Sequence, residues 1–350
     1  MNKGKITVSD IVSAEKILGI EYSKQEREQM MNDLEDQIIS AKTRRKSKFD
    51  NNVPTASKFD PRLPGFEMPN LTGLKISEKT YKCPSSDEDI AFASVAAQGH
   101  WIKTKQITSR RLTEIYLDRI NKFQGQLNCY ANVTGELALA EADAMDLLTE
   151  DYVSLGALHG IPYGLKDLFD TKDIETAWGA EPYQNRLPLE DAEIVKRLRA
   201  AGAVLLGKTA VGALAYNDIW YGGRTKNPWN LNEGSSGSSA GSASATAGGL
   251  CSFAIGTETL GSITSPSERC GTTGLRPTFG RVSRSGCMAL CWSLDKIGPI
   301  CRSVEDTGLI LSIINGYDEN DRFSIKAPFN FNSAKATDDL KVGYIPDAFG

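Results

Sequence analysis

Two lysines and a set of serines are the residues in this chain whose settings could support chemistry. Lys208 closes the run GAVLLGKT (202–209), which fits the phosphate-loop pattern G-x-x-x-x-G-K-[ST] and would put the lysine on a nucleotide's phosphates. Lys166 lies in GIPYGLKDLFD (160–170), among glycine, proline and apolar residues. Ser238 and Ser239 fall in GSSAGSASA (237–245), and Ser262 falls in GTETLGSITSPS (256–267). A serine hydroxyl is a weak nucleophile and needs a base beside it. Lysine serves as that base only when neutral, and removal from water favours the neutral form.

Two of these patterns fail on their surroundings. A phosphate loop requires strand, then glycine-rich loop, then helix, so that helix amides face the phosphates. Here an amphipathic helix at 192–201 comes first and Gly202 ends it as a C-cap glycine. Ala203 to Leu206 then read as a buried strand whose amides belong to a sheet ladder. Nucleotide binding is therefore not expected. Gly237-Ser238-Ser239-Ala240-Gly241 also fits the nucleophile-elbow pattern G-x-S-x-G. That mechanism takes its histidine after the serine in chain order, and the chain has only two histidines, His100 and His159, both upstream. Each remaining polar group has a plain structural reading as well. Lys166 would be salt-bridged to Asp167 or Asp170, the Gly/Ser tract would be a linker, and Ser262 would be a turn residue. His159 reads as structural.

The elements that must carry these residues read as α/β from about residue 85. Thr108 can cap a helix with Leu112, Ile115, Tyr116 and Ile120 on one side. A second helix is predicted over 135–149, and a third holds Ile194, Val195 and Leu198. A strand follows at 203–206, a loop through 222–230, an apolar run at 250–256 and a turn-rich stretch at 257–267. Residues 5–46 read as helical, with a capping-box spacing from Ser23 to Glu26 and Met30, Leu34 and Ile38 on one stripe. The basic run 42–48 reads as a solvated face, and the prolines of FDPRLPG (59–65) exclude regular helix. The division expected is a helical appendage at 1–55, a linker or wrapping segment at 56–84, and the main domain at 85–350. The final residues, LKVGYIPDAFG, read as a strand entering a loop.

Composition narrows the partners. The net charge of −4 lacks the basic signature of a nucleic-acid binder. No stretch approaches the ~18 apolar residues of a spanning helix. The seven cysteines are odd in number and scattered, as reduced thiols of a cytoplasmic protein would be. Cys287 and Cys291 lack companion ligands, so no metal is expected, and no cofactor either.

Taken together, GIPYGLKD, GSSAGSA and GTETLGSI resemble, in order, the motifs of the amidase signature family. LNCYANV (127–133), GAVLLGKT, NPWN (227–230) and CGTTGLRPTFGRVSRSG (270–286) strengthen the likeness, which covers roughly 85–350. The resemblance implies a mixed, twisted β-sheet flanked by helices and a Ser–cis-Ser–Lys triad. Matched motif to motif, the nucleophile is Ser262, the bridging serine Ser238 and the base Lys166. Ser262 lies 24 positions after Ser238, the family's spacing, which sets Ser235 aside. The backbone N–H groups of Thr259, Leu260, Gly261 and Ser262 would form the oxyanion hole, where each donor contributes about 2.7–4 kcal/mol in characterised enzymes. Ser239, Gly237, Gly241 and Glu258 would support the site.

The implied function is hydrolysis of a carboxylic amide to acid plus ammonia or amine, through a seryl acyl-enzyme. The expected partner is a small-molecule amide; neither nucleic acid nor membrane is expected, and a homodimer is an open option. Leu260, Thr264 and Glu258 depart from the glycine, arginine and aspartate frequent in the family, which implies a subgroup with its own pocket. The family pattern normally continues beyond the equivalent of Gly350. Two alternatives stand beside this reading. One is the A subunit of a tRNA-dependent amidotransferase, whose small C subunit the segment from Ile6 to Ile38 loosely resembles. The other is a non-catalytic binding module with an inherited, unused triad.

Overall fold

The computed structural model describes residues 6–47, 53, 56–77, 79–334, 340–341 and 343–346. It divides into two compact units, Met1–Val53 and Pro54–Gly350.

In the first unit, helices α1 (Val8–Leu18) and α2 (Lys24–Arg44) replace the single helical stretch expected at 5–46, whose residue 5 lies outside the described residues. The break is local chemistry. Gly19 adopts the left-handed conformation at φ 66° that ends α1. Ser23 and Glu26 then cap α2 reciprocally, at 3.3 Å and 2.7 Å. Glu15 is the one buried residue among those described in this unit, and it pairs with Arg27 at 2.6 Å.

In the second unit, helices α3 (Asp87–Phe92), α4 (Val95–Lys103), α5 (Ser109–Leu127) and α6 (Gly135–Glu150) precede the central strands. Thr108 caps α5 by accepting from the Arg111 amide at 3.0 Å, and the expected apolar stripe is buried. The main sheet comprises β1 (Tyr130–Val133), β2 (Pro162–Lys166), β3 (Val204–Thr209), β4 (Phe253–Glu258), β5 (Thr273–Gly274) and β6 (Lys296–Cys301). Its order is β5-β6-β4-β2-β3-β1. The centre is parallel (β4, β2, β3) and both flanks are antiparallel, a mixed sheet with helices packed against it. Helices α7 (Glu193–Ala200), α8 (Ala240–Ala247), α9 (Thr264–Cys270) and α10 (Val304–Ile314) complete the unit. Within the 56–84 segment, Leu74–Lys75 pairs in parallel with Phe331–Asn332.

Several expectations need correction. Strand β3 runs through Gly207, Lys208 and Thr209 rather than ending at Leu206, because β1 and β2 pair with those residues too. The apolar run at 250–256 becomes a strand that continues to Glu258. The stretch read as turn-rich at 257–267 contains the start of α9, whose first amides are capped by the Glu258 carboxylate. The 222–230 loop carries short strand pairs. No strand forms among the described residues of 340–350, where no neighbouring strand supplies a ladder.

Small residues set how closely α8 approaches the sheet. All eight of its residues are buried. A Cβ on Gly241 would sit 2.1 Å from the Cys129 carbonyl oxygen and 2.3 Å from the Ala210 nitrogen, so only glycine fits there. A Cβ on Gly237 would meet the Asn217 carbonyl oxygen at 1.9 Å.

Candidate active site

Strand β2 ends on Lys166, which is fully buried. Its Nζ lies 2.8 Å from Ser238 Oγ, 2.9 Å from Ser239 Oγ, 2.8 Å from Thr257 Oγ1 and 3.3 Å from the Thr257 carbonyl. None of these partners is a carboxylate. Asp167 instead faces Lys208 at 3.5 Å, and Asp170 forms a two-point pair with Arg186. The salt-bridged reading of Lys166 is therefore corrected: both neighbouring carboxylates are engaged elsewhere. Burial lowers the Lys166 amine to about 7, and the more distant Cys287, Asp295 and Glu258 oppose that shift only weakly.

The serine-rich loop delivers its hydroxyls to this amine through its backbone. The Gly237–Ser238 peptide is cis, and Ser239 stands at the N-cap of α8. Ser239 Oγ donates to the Thr257 carbonyl at 3.0 Å and accepts from the Thr257 amide at 3.2 Å. Its hydrogen is thus committed, and toward Lys166 it acts as acceptor. Ser238 Oγ has no hydrogen-bond partner besides Lys166 among the described residues.

Ser262 joins the same cluster from the turn between β4 and α9. Its carbonyl accepts from the Ser239 amide at 3.1 Å, which ties the two loops together. Its side chain is largely buried and makes no hydrogen bond among the described residues. The neighbouring Leu260 is 85% exposed. The Leu260 and Ser262 amides have no protein acceptor among the described residues, whereas the Gly261 amide is drawn toward the Glu258 carboxylate.

Glu258 shapes this turn. Its Oε2 accepts from the Ile263 and Thr264 amides at 2.8 Å and 2.9 Å and from the Thr264 hydroxyl at 3.2 Å. Arg276 approaches its other oxygen at 3.3 Å. Burial would push the Glu258 carboxyl up, but the Thr264, Ile263 and Gly261 amides and the Thr264 hydroxyl outweigh it and hold it below its ordinary range.

The other candidates lie apart from this cluster. Lys208 Nζ donates to the Phe169 carbonyl at 2.7 Å and the Thr176 hydroxyl at 2.6 Å, in the interior. The His159 ring contacts Thr149 Oγ1, the Met145 carbonyl and the Leu155 amide. Among the described residues no cluster of histidine, cysteine and carboxylate side chains could hold a metal. Two contributors escape the sequence reading. Thr257 is hidden because the apolar run stops one residue before it; continuing the strand exposes it as a partner. Asp295, which accepts from the Thr259 hydroxyl at 2.5 Å, gives no signal beyond an aspartate in SLDKIGP.

Comparison with known proteins fits this arrangement. The family profile described as Amidase matches residues 111–350. The chain belongs to the amidase signature family. Among its relatives, the glutamyl-tRNA(Gln) amidotransferase A subunit of Acinetobacter baumannii (strain ATCC 17978) is 43% identical over 241 residues, 68% of this chain and 49% of that protein. The protein of the same name from Coxiella burnetii (strain Dugway 5J108-111) is 41% identical over 255 residues, 71% of this chain and 53% of that protein. The solved peptide amidase of Stenotrophomonas maltophilia aligns with a TM-score of 0.64 at 35% identity, covering 68% of this chain and 51% of that one. A bacterial aryl acylamidase described as an amidase signature enzyme aligns with a TM-score of 0.64 at 27% identity, covering 69% of this chain and 51% of that one. This amidase-family chain thus spans about half the length of the relatives it matches.

Proposed function

We propose that this chain carries the catalytic centre of an amidase, with Ser262 as nucleophile, Ser238 as proton relay and Lys166 as base. The observation that carries this reading is a fully buried lysine surrounded by hydroxyls and a carbonyl but no carboxylate. A neutral amine has two hydrogens and one lone pair. Ser239 and Thr257 take the two hydrogens, and the lone pair is left for the Ser238 hydroxyl.

Proton transfer then runs from Ser262 to Ser238 to Lys166 as Ser262 Oγ bonds to the amide carbon. The carbonyl oxygen becomes an oxyanion beside the amides of the 259–262 turn, of which those of Thr259, Leu260 and Ser262 have no protein acceptor among the described residues. Collapse breaks the C–N bond, and the proton returns through Ser238 to the leaving nitrogen. Water repeats the sequence on the acyl-enzyme, releasing the acid. Gly237, Gly241, Ser239 and Glu258 hold the backbone and the amine in place.

Labelling with a fluorophosphonate probe tests this proposal. Intact-mass analysis is expected to find one adduct, on Ser262, absent in Ser262→Ala and strongly reduced in Lys166→Ala. A folded wild-type chain that takes no label would support the inherited, unused module instead.

The 41–43% identity to amidotransferase A subunits favours a second reading, a glutamine amidase that passes ammonia to a partner. Glutamine-dependent ammonia release that rises on adding charged tRNA and a B-type partner would select it. A cytoplasmic location belongs to the same proposal, supported by cysteines that are odd in number and scattered along the chain. The substrate is a small amide in the first reading.

A further inference from the structure

Strand β6 opens with Lys296, set opposite Glu258 in the antiparallel ladder. The half-buried Lys296 Nζ donates to the Thr259 carbonyl at 3.1 Å. The preceding residue, Asp295, accepts from the Thr259 hydroxyl at 2.5 Å while its other oxygen accepts from the Leu290 and Cys291 amides at 2.8 Å and 3.0 Å. Thr259 is therefore gripped at two points, by neighbouring residues of one strand start.

The grip matters because of what lies at the other end of the same peptide. The Thr259 carbonyl and the Leu260 N–H belong to one planar unit and point in opposite directions in its trans form. Among the described residues the cis bond is Gly237–Ser238, so the 259–260 unit is trans. Hydrogen bonds polarise one another along such units, and an ammonium on the carbonyl oxygen makes the amide hydrogen a stronger donor. The Leu260 amide has no protein acceptor among the described residues, so that strengthened donor is available to a ligand. Nor is the ammonium neutralised by a direct pair: no salt bridge to Lys296 occurs among the described residues, and Arg276 is engaged with Glu258.

We propose that Lys296 is a positioning residue for acyl transfer, orienting and polarising the Thr259–Leu260 peptide so that the Leu260 N–H binds the oxyanion. The inference rests on the amidase reading above and adds to it a residue that touches neither substrate nor nucleophile.

The test is fluorophosphonate labelling of the wild type and of Lys296→Met, Lys296→Gln and Lys296→Arg, with kinact and KI resolved separately at pH 8.5. For Lys296→Met, kinact is expected to fall about three- to tenfold with KI unchanged, since a donor is weakened rather than removed. Lys296→Arg, which keeps a cationic donor, is expected to recover most of the loss. The acid limb of the rate profile should stay where the wild type has it. An unchanged kinact in Lys296→Met, or a loss that Lys296→Arg leaves unrepaired, overturns the proposal. If Lys296→Met melts early, Lys296→Gln carries the test: a native melting temperature with wild-type kinact overturns it equally. A wild-type chain that fails to label at Ser262 brings down the amidase reading and this inference together. Normal wild-type labelling with an indifferent Lys296 brings down this inference alone.

Discussion

The protonation state of Lys166 makes the most exacting prediction. Burial places its amine at about 7, against an ordinary value of 10.5. In the proposed mechanism the neutral form is the base, so reactivity must rise with pH through that value. The neutral fraction is about 0.1 at pH 6 and about 0.9 at pH 8, a gain of about tenfold with a limiting slope of one on the acid side. The second-order rate of fluorophosphonate labelling, measured from pH 5.5 to 9.5 and corrected by Ser262→Ala, reads this directly without a natural substrate. Stability carries the same signature. Because the folded value is depressed, the unfolded chain binds the extra proton between about 7 and 10.5. The cost to folding is therefore absent above 10.5, grows as pH falls, and is complete below 7, where it reaches about 5 kcal/mol. Lys166→Met should remove that cost, so its urea midpoint should gain on the wild type at pH 6 and gain less at pH 9. A labelling rate flat between pH 6 and 8, or still climbing steeply at pH 9, would refute the idea of a neutral lysine base.

Three further outcomes follow from individual contacts. Thr257→Val removes an acceptor that favours the ammonium form, so the acid limb should move about one unit lower in the same labelling profile. Asp167→Asn leaves Lys208 without its carboxylate in the interior and should cost about 3–5 kcal/mol in chemical denaturation, with the limb of the labelling profile unmoved. Gly241→Ala forces a Cβ onto the Cys129 carbonyl oxygen and should leave little soluble, cooperatively melting protein.

Much of this architecture is legible in the sequence because it follows from period and punctuation. Leu112, Ile115, Tyr116 and Ile120 repeat at helical spacing, and their burial follows from it. Where sequence and structure part, long-range partners decide. Gly207-Lys208-Thr209 is strand because two neighbours offer a ladder, which no local pattern announces. The helix at Thr264–Cys270 begins where a carboxylate six residues earlier in sequence folds back onto its amides. The cluster around Lys166 is reached through motifs already known to travel together. Its geometry depends on Thr257, Asp295 and Lys296, whose types alone are unremarkable.

The two interior lysines show why the motif is the weaker guide. Lys166 and Lys208 are both fully buried, both lie at or near the ends of adjacent parallel strands, and both are met by a threonine hydroxyl. What separates them is one carboxylate. Lys208 has Asp167 at 3.5 Å and a carbonyl at 2.7 Å, an ammonium's environment that contributes to structure. Lys166 has two serine hydroxyls in that place, groups that satisfy the amine without supplying a countercharge. The lysine inside the nucleotide-binding pattern is thus tied into the core, and millimolar ATP should leave the melting temperature unchanged. The lysine outside that pattern meets only hydroxyls and a carbonyl, because the adjacent Asp167 faces Lys208 on the other strand, and the proposed mechanism gives its lone pair to the Ser238 hydroxyl.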